Sequence, residues 1–395
     1  MMNYLRRLTT VFLLLMLGYT MTSCELQSKD SVSVYYPISE SPSFLQPLEG
    51  YTLLTSEETI AQTEVQEGDQ PINYEDMKGV WVSYLEYGWA LKGKSEQEFY
   101  HAIQTMFDKV QSLGLNTVIV QVRSHGDAYY PSQWYPWSQY VSGSVGINPG
   151  FDPLQIMVEQ AHQRGLSVHA WLNPYRLMQD EGMSLTPDQY LIKQWYQSAE
   201  YASYMTKVGD YWYLNPGNEQ VQNLIIQGAS ELVNQYQIDG LQIDDYFYTA
   251  SPQVFGQDHV QAKANTTAMV KGLYDAIKTV NTQVLFGVSP AGNYTDSPHS
   301  DNTQYTDLQL WCTTEGYLDY VAPQIYWDFD DAVAPFAEIV AKWENLVSDS
   351  SCKLYVGLAD YKFAGTENFQ KQIDFVDDCK VAKGYIHFRY DNLFG

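Results

Sequence analysis

The stretch DGLQIDDYFY, residues 239–248, ends a short apolar run on two adjacent carboxylates, Asp244 and Asp245, and continues at once into Tyr246, Phe247 and Tyr248. A carboxylate flanked by rings can attack, or stabilise, the oxocarbenium-like centre that forms when a glycosidic bond breaks. Asp244 is the candidate nucleophile, or the base that activates water, and Asp245 is its candidate acidic partner. Asp328 and Asp360 stand at the ends of later apolar runs as alternative acids. Whichever serves needs burial or a neighbouring carboxylate to keep its proton near neutral pH.

Other groups with binding chemistry recur at the same kind of place, where an apolar run gives way to polar residues. QVRSHGDAYY supplies Arg123, His125 and Asp127, HAWLNPYR supplies His169, Trp171, Asn173 and Arg176, and YVAPQIYWD supplies Gln324, Tyr326 and Trp327. Trp171, Tyr246, Tyr326 and Trp327 are candidate stacking platforms for sugar faces. Arg123 and Arg176 could each hold a carboxylate, such as the lactyl group of a muramic sugar. Asp127, His169, Asn173 and Gln324 complete the expected substrate contacts.

These residues need a scaffold that brings separate strand ends together. From Lys78 onward, runs such as KGVWVSYLE, NTVIVQVR, LSVHAWLNP, DGLQID, QVLFGVSP, YVAPQIYW, KLYVGLA and GYIHFRY alternate with amphipathic segments, among them residues 95–113 and 218–237. The strands are apolar enough to be buried on both faces, which suits a parallel sheet covered by helices. Eight such repeats without a glycine-rich phosphate turn after the first strand predict a (β/α)8 TIM barrel rather than a doubly wound sheet. The chain ends five residues after the last strand. The closing helix is therefore expected to be short or missing, with part of residues 30–75 covering the gap. In such barrels the C-terminal strand ends carry the chemistry. Residues two apart share a strand face. That parity puts Gln121 with Arg123, His169 with Trp171 and Asn173, Gln242 with Asp244, and Gln324 with Tyr326, all turned inward, while Val120, Val122 and Ile243 turn outward.

Composition narrows the partners. The chain has 395 residues, 45% of them hydrophobic, with 22 Lys+Arg against 47 Asp+Glu and a net charge of −25. Such a surface repels nucleic acid and anionic lipid. The N-terminus places Arg6 and Arg7 before the short apolar run VFLLLMLGYT and then MTSC, ending at Cys24. This reads as a lipoprotein-type signal peptide over 1–23, a lipidated Cys24 with a polar tether over 24–76, and a catalytic domain over 77–395. The expected location is outside the cytoplasm, in the cell envelope, with the lipid anchor as the membrane contact. Cys312, Cys352 and Cys379 form no CxxC pair and no disulfide framework; buried thiols are favoured, and one disulfide stays open.

Taken in order, KGVWVS, GLNTVIVQVRSHGDAYYPSQWYPWS, FDPLQIMVEQAHQRGLSVHAWLNPYR, YWYLNPG, IDGLQIDDYFY, FGVSPAG, DYVAPQIYW, LYVGLADYK and GYIHF resemble glycosyl-hydrolase-like family 10, over nearly all of residues 78–388. The resemblance implies a barrel glycoside hydrolase acting on a bacterial envelope or extracellular polysaccharide, peptidoglycan glycan strands first among them. No cofactor or metal is expected. Two positions depart from the family pattern: Gln242 stands where His is usual, and Thr249 where Pro is usual. Two other readings use the same residues. A metal-dependent hydrolase would draw on His125, His169 and the Asp pair, although no HxH or HExxH spacing is present. A non-catalytic glycan-binding lipoprotein would keep the barrel as a scaffold.

Overall fold

The computed structural model describes residues 70–244, 247–294 and 305–395. Cys24, the signal peptide, most of the tether, Asp245 and Tyr246 lie outside the described residues. In chain order the strands β1 (Met77–Val82), β2 (Thr117–Arg123) and β3 (Ser167–Leu172) come first. An insertion then contributes β4 (Arg176–Gln179), β5 (Met205–Val208) and β6 (Tyr211–Leu214), and the series ends with β7 (Gly240–Ile243), β8 (Leu285–Val288), β9 (Tyr320–Val321), β10 (Lys353–Ala359) and β11 (Ala382–Phe388). Strands β1, β2, β3, β7, β8, β9, β10 and β11 close a barrel in that order, and every ladder in it is parallel. This is the expected (β/α)8 barrel. Strands β4, β6 and β5 form a separate antiparallel sheet within the insertion.

The covering helices begin where their sequences offer caps. Ser95 and Glu98 make a reciprocal capping box for the helix 96–112, and Asp258 with Gln261 does the same for 259–280. Asp152 caps 153–162 with Pro153 in the first turn, and Asn218 caps 219–235. Val118, Val120, Val122, Leu172, Ile243 and Val288 face these helices in one continuous outer core, while Trp81, Ile119, Trp171, Tyr320, Tyr355 and Ile386 pack inside the barrel. Large inward rings need inward space. A Cβ on Gly240 would lie 2.5 Å from His169 Nδ1, and one on Gly287 would lie 2.1 Å from the Tyr320 ring, so glycine is what lets those two side chains enter.

Two details differ from the sequence reading. The first strand stops at Val82, because Ser83 and Glu86 form a capping box that starts a helix over 84–91. The sixth barrel strand shrinks to β9, since Pro323 has no N–H to offer the ladder, which continues only as isolated bridges at Gln324. The closing helix is short, Tyr390–Phe394, in keeping with the expectation. Of the N-terminal segment, residues 70–76 run beneath the barrel; the cover expected from part of residues 30–75 falls almost wholly outside the described residues. Ile72 N–H donates to Asp239 Oδ1 (2.6 Å), Tyr74 OH to the Gly165 carbonyl (2.5 Å), and Glu75 pairs with Lys353. All three partners lie before or at the start of barrel strands, at the end opposite the expected chemistry. Cys312, Cys352 and Cys379 are unpaired thiols.

Candidate active site

Asp244 follows β7 directly and stands at the C-terminal mouth of the barrel, 5% exposed. Trp171 Nε1–H donates to its Oδ2 (3.2 Å), and the Asn173 amide donates to the same oxygen. Both donors come from β3 and its end, the neighbour of β7 in the barrel, where Trp171 lies directly opposite Gln242. Gln121 of β2 donates in turn to Asn173 Oδ1, and its own Oε1 accepts the Tyr84 N–H (3.1 Å). The shared parity of Trp171, Asn173 and Asp244 thus becomes a physical network. A carboxylate that accepts such bonds is favoured in its charged form, as a nucleophile or base requires.

One layer deeper, Trp81 Nε1–H donates to Gln242 Oε1 (2.6 Å), and Gln242 Nε2–H donates to the Tyr320 hydroxyl (3.2 Å), which also meets His169 Nδ1 at 2.8 Å. Gln242 is therefore satisfied by ring partners of the barrel interior. His169 is fully buried, and that burial pushes its pKa down to about 4 against a weaker opposing pull from the Asp239 carboxylate. A neutral imidazole below the mouth supports the site floor rather than touching substrate, which corrects its reading as a substrate contact.

Three other expected contacts also lie away from the mouth. In the β2–β3 ladder Gln121 pairs with Trp171 but Arg123 pairs with Leu172, so one residue is extra between them. That bulge turns Arg123 to the outer face, on the side of Leu172. There its guanidinium lies 4.3 Å from the Tyr135 ring centroid, and a Cβ on Gly228 of the helix 219–235 would come within 2.9 Å of its Nη1. Asp127 is fully buried and closes the loop after β2, accepting N–H bonds from Ser124 (3.2 Å) and His125 (2.8 Å). Trp327 packs against the outer core as well, with its carbonyl accepting from Gln372. Asp360 is buried beside His387 Nδ1 (3.1 Å), and the His387 ring lies tilted against Phe369 of an outer helix (5.5 Å between centroids), which places Asp360 on the outer side of the barrel. Asp328 is half-buried in the loop after β9, beyond the last bridge at Gln324.

What the mouth does hold are two aromatic groups on either side of the barrel. After β1, β2 and β3, Tyr84 contacts His125 (5.2 Å between ring centroids) and Tyr140 (4.6 Å). Tyr211, on β6 of the insertion, stacks on His125 (5.5 Å) and receives the Arg176 guanidinium over its ring at 4.8 Å. Burial, and then the Arg176 charge, hold His125 well below the usual imidazole range, and burial raises Tyr140 to about 12. Across the mouth, Tyr326 contacts Phe388 (5.6 Å) and the half-exposed Tyr361 (6.0 Å), while Gln324 donates to the Ser289 carbonyl. Tyr84, Tyr140 and Tyr211 were not among the sequence candidates. They come from three separate segments, and nothing short of the folded insertion brings them beside Arg176. The metal reading fares differently: among the described residues no group of three or more His, Cys, Asp or Glu side chains converges, and His125 and His169 belong to separate networks.

The solved structures that resemble this chain are barrels. The endo-β-1,4-mannanase of Thermotoga petrophila superposes with a TM-score of 0.52 at 13% identity, covering 81% of this chain and 69% of that one. The endo-1,4-β-mannanase of Rhizomucor miehei gives 0.50 at 14%, covering 79% and 85%. At such identities the likeness speaks for the fold. In sequence, the glycosyl hydrolase YngK of Bacillus subtilis is 32% identical over 356 residues, covering 80% of this chain and 69% of YngK. The glycosyl hydrolase DigH of Escherichia coli K12 is 34% identical over 337 residues, covering 73% and 76%. The description of glycosyl hydrolase-like 10 matches residues 76–264 and 261–376, and on that match, with these relatives and this barrel, the chain belongs to the glycosyl hydrolase-like 10 family and is a TIM-barrel glycosyl hydrolase.

Proposed function

We propose that this enzyme hydrolyses O-glycosidic bonds of a bacterial envelope polysaccharide, peptidoglycan glycan strands in the first place, from a lipid anchor outside the cytoplasm. The observation that carries the reaction is Asp244: a carboxylate at the end of a barrel strand, with two N–H donors aimed at one oxygen. Donors fixed in advance favour the ionised carboxylate without reorganisation when the sugar arrives. Asp244 then acts on the anomeric carbon, or on the water that attacks it. Asp245, its neighbour in sequence, or Asp328 in the loop after β9 supplies the proton to the leaving oxygen.

The choice of glycan rests on chemistry and on export. A chain of net charge −25 needs a local cation to accept an anionic strand, and Arg176 beside Tyr211, Tyr84 and Tyr140 offers one among rings. A lactyl carboxylate on a muramic sugar fits that pairing. The basic and apolar N-terminal residues leading to Cys24 support delivery to the envelope.

The test is to incubate the lipid-free mature chain with peptide-stripped glycan strands, beside α- and β-glucans, following reducing ends and product masses. Asp244→Asn runs alongside, with and without a chelator. Cleavage of the strands, abolished by the substitution and indifferent to the chelator, supports the proposal. Binding without cleavage would instead make the barrel a glycan receptor.

A further inference from the structure

The side-chain amide of Asn173 has two ends, and only one suits Asp244. Its NH2 donates to the carboxylate; the reverse orientation would set a carbonyl oxygen against a negative charge. Gln121 decides between them. Gln121 is 3% exposed, and its Oε1 accepts the main-chain N–H of Tyr84 at 3.1 Å. A main-chain N–H can only donate, so the Gln121 NH2 must face the other way, where it donates to Asn173 Oδ1. With its carbonyl occupied, Asn173 is left with its NH2 toward Asp244 Oδ2.

The start of this relay is itself held firmly. Tyr84 opens the helix 84–91, whose entry is set by the reciprocal Ser83–Glu86 cap, and the buried Glu86 carboxylate is paired with Arg389. Tyr87 of the same helix donates its hydroxyl to the Gln121 main-chain carbonyl. Polarity therefore runs in one direction, from a capped helix through two amides to the carboxylate.

We propose that Gln121 is a positioning residue that keeps Asp244 ionised by fixing the amide orientation of Asn173. The inference rests on the reading of Asp244 as the ionised nucleophile or base. Removing the Gln121 amide frees Asn173 to turn when Asp244 is protonated, so that its carbonyl accepts from the carboxyl O–H and the neutral form is favoured.

The experiment compares wild type, Gln121→Leu, Gln121→Met and Tyr87→Phe in the full mature chain. The pH profile of kcat/KM on stripped glycan strands is measured together with the carboxyl-carbon titration of Asp244 by NMR of 13C-aspartate-labelled protein, with Asp244→Asn identifying the resonance. Losing one hydrogen bond to a charged group should move the acidic limb and the carbon titration to higher pH by about one to two pH units. Activity well above the limb should stay within about threefold of wild type. Tyr87→Phe, which loosens the Gln121 main chain and leaves both amides in place, should leave limb and titration where they are. A pH-independent loss in Gln121→Leu, with limb and titration unmoved, overturns the proposal. Gln121→Met, unbranched and uncharged, decides if the Leu variant does not fold. Should wild type cut none of the glycans, the reading of function fails, while the carbon titration still decides the role of Gln121.

Discussion

The two ends of the motif D-G-x-x-x-D should separate cleanly under substitution. Asp239 is fully buried at the bottom of the barrel, where Oδ1 accepts Ile72 N–H (2.6 Å) and Oδ2 accepts both Val168 N–H (2.6 Å) and His162 Nε2 (2.9 Å). An Asn there has one acceptor oxygen, so its NH2 must meet at least one of these donors head on. The loss is one charge-assisted bond of ~1.5–3 kcal/mol plus weakening of the others, about 2–4 kcal/mol in all. A barrel of about 320 residues has an unfolding entropy near ~0.7 kcal/mol per degree, which turns that loss into a fall in Tm of about 3–6 °C. Asp244→Asn should do the reverse: Tm within about 1 °C of wild type or above it, and kcat down by about 10³-fold or more. Scanning calorimetry on both variants, with turnover measured at 25 °C, decides the matter. The reasoning fails if Asp239→Asn keeps the wild-type Tm, or if it loses turnover at a temperature where it is folded.

Further outcomes follow from individual contacts. Since burial holds His169 near 4 in the folded chain while it titrates near 6.5 unfolded, the unfolded state gains a proton first as pH falls. Stability should therefore drop by about 3 kcal/mol between pH 6.5 and 4, and urea unfolding of His169→Gln should show a flatter dependence over that window. Arg176→Met should raise KM for carboxylate-bearing strands about tenfold or more, whereas Arg123→Met, on the outer face, should leave KM within about twofold. Gly240→Ala would press a methyl group onto His169, costing about 3 kcal/mol, and should lower Tm by several degrees in a thermal melt.

Much of this molecule is legible in one dimension. Strand and helix periods are local properties, and the caps at Ser95, Asp152, Asn218 and Asp258 are written in adjacent residues, so the alternation and the barrel follow from the sequence. So does the inward face of Trp171, Asn173 and Asp244, because parity along an unbroken strand is geometry that the chain cannot avoid. Parity fails where the strand is broken. One extra residue in β2 sends Arg123 outward, and a proline shortens β9 beside the segment that carries Tyr326 and Trp327. The bulge has no residue type that announces it, whereas Pro323 does mark where β9 must end. Asp360 and Asp239 read as acids like any other, yet the first is taken by His387 and the second by Ile72, Val168 and His162. A carboxylate's role depends on which donors reach it, and those donors arrive from distant parts of the chain. The same holds for Tyr84, Tyr140, Tyr211 and Arg176, which share one side of the mouth because the insertion folds back over β2 and β3. Sequence determined the scaffold and the carboxylate at its mouth; tertiary structure decided which neighbours that carboxylate has, because contacts between separate strand ends exist only once the barrel closes.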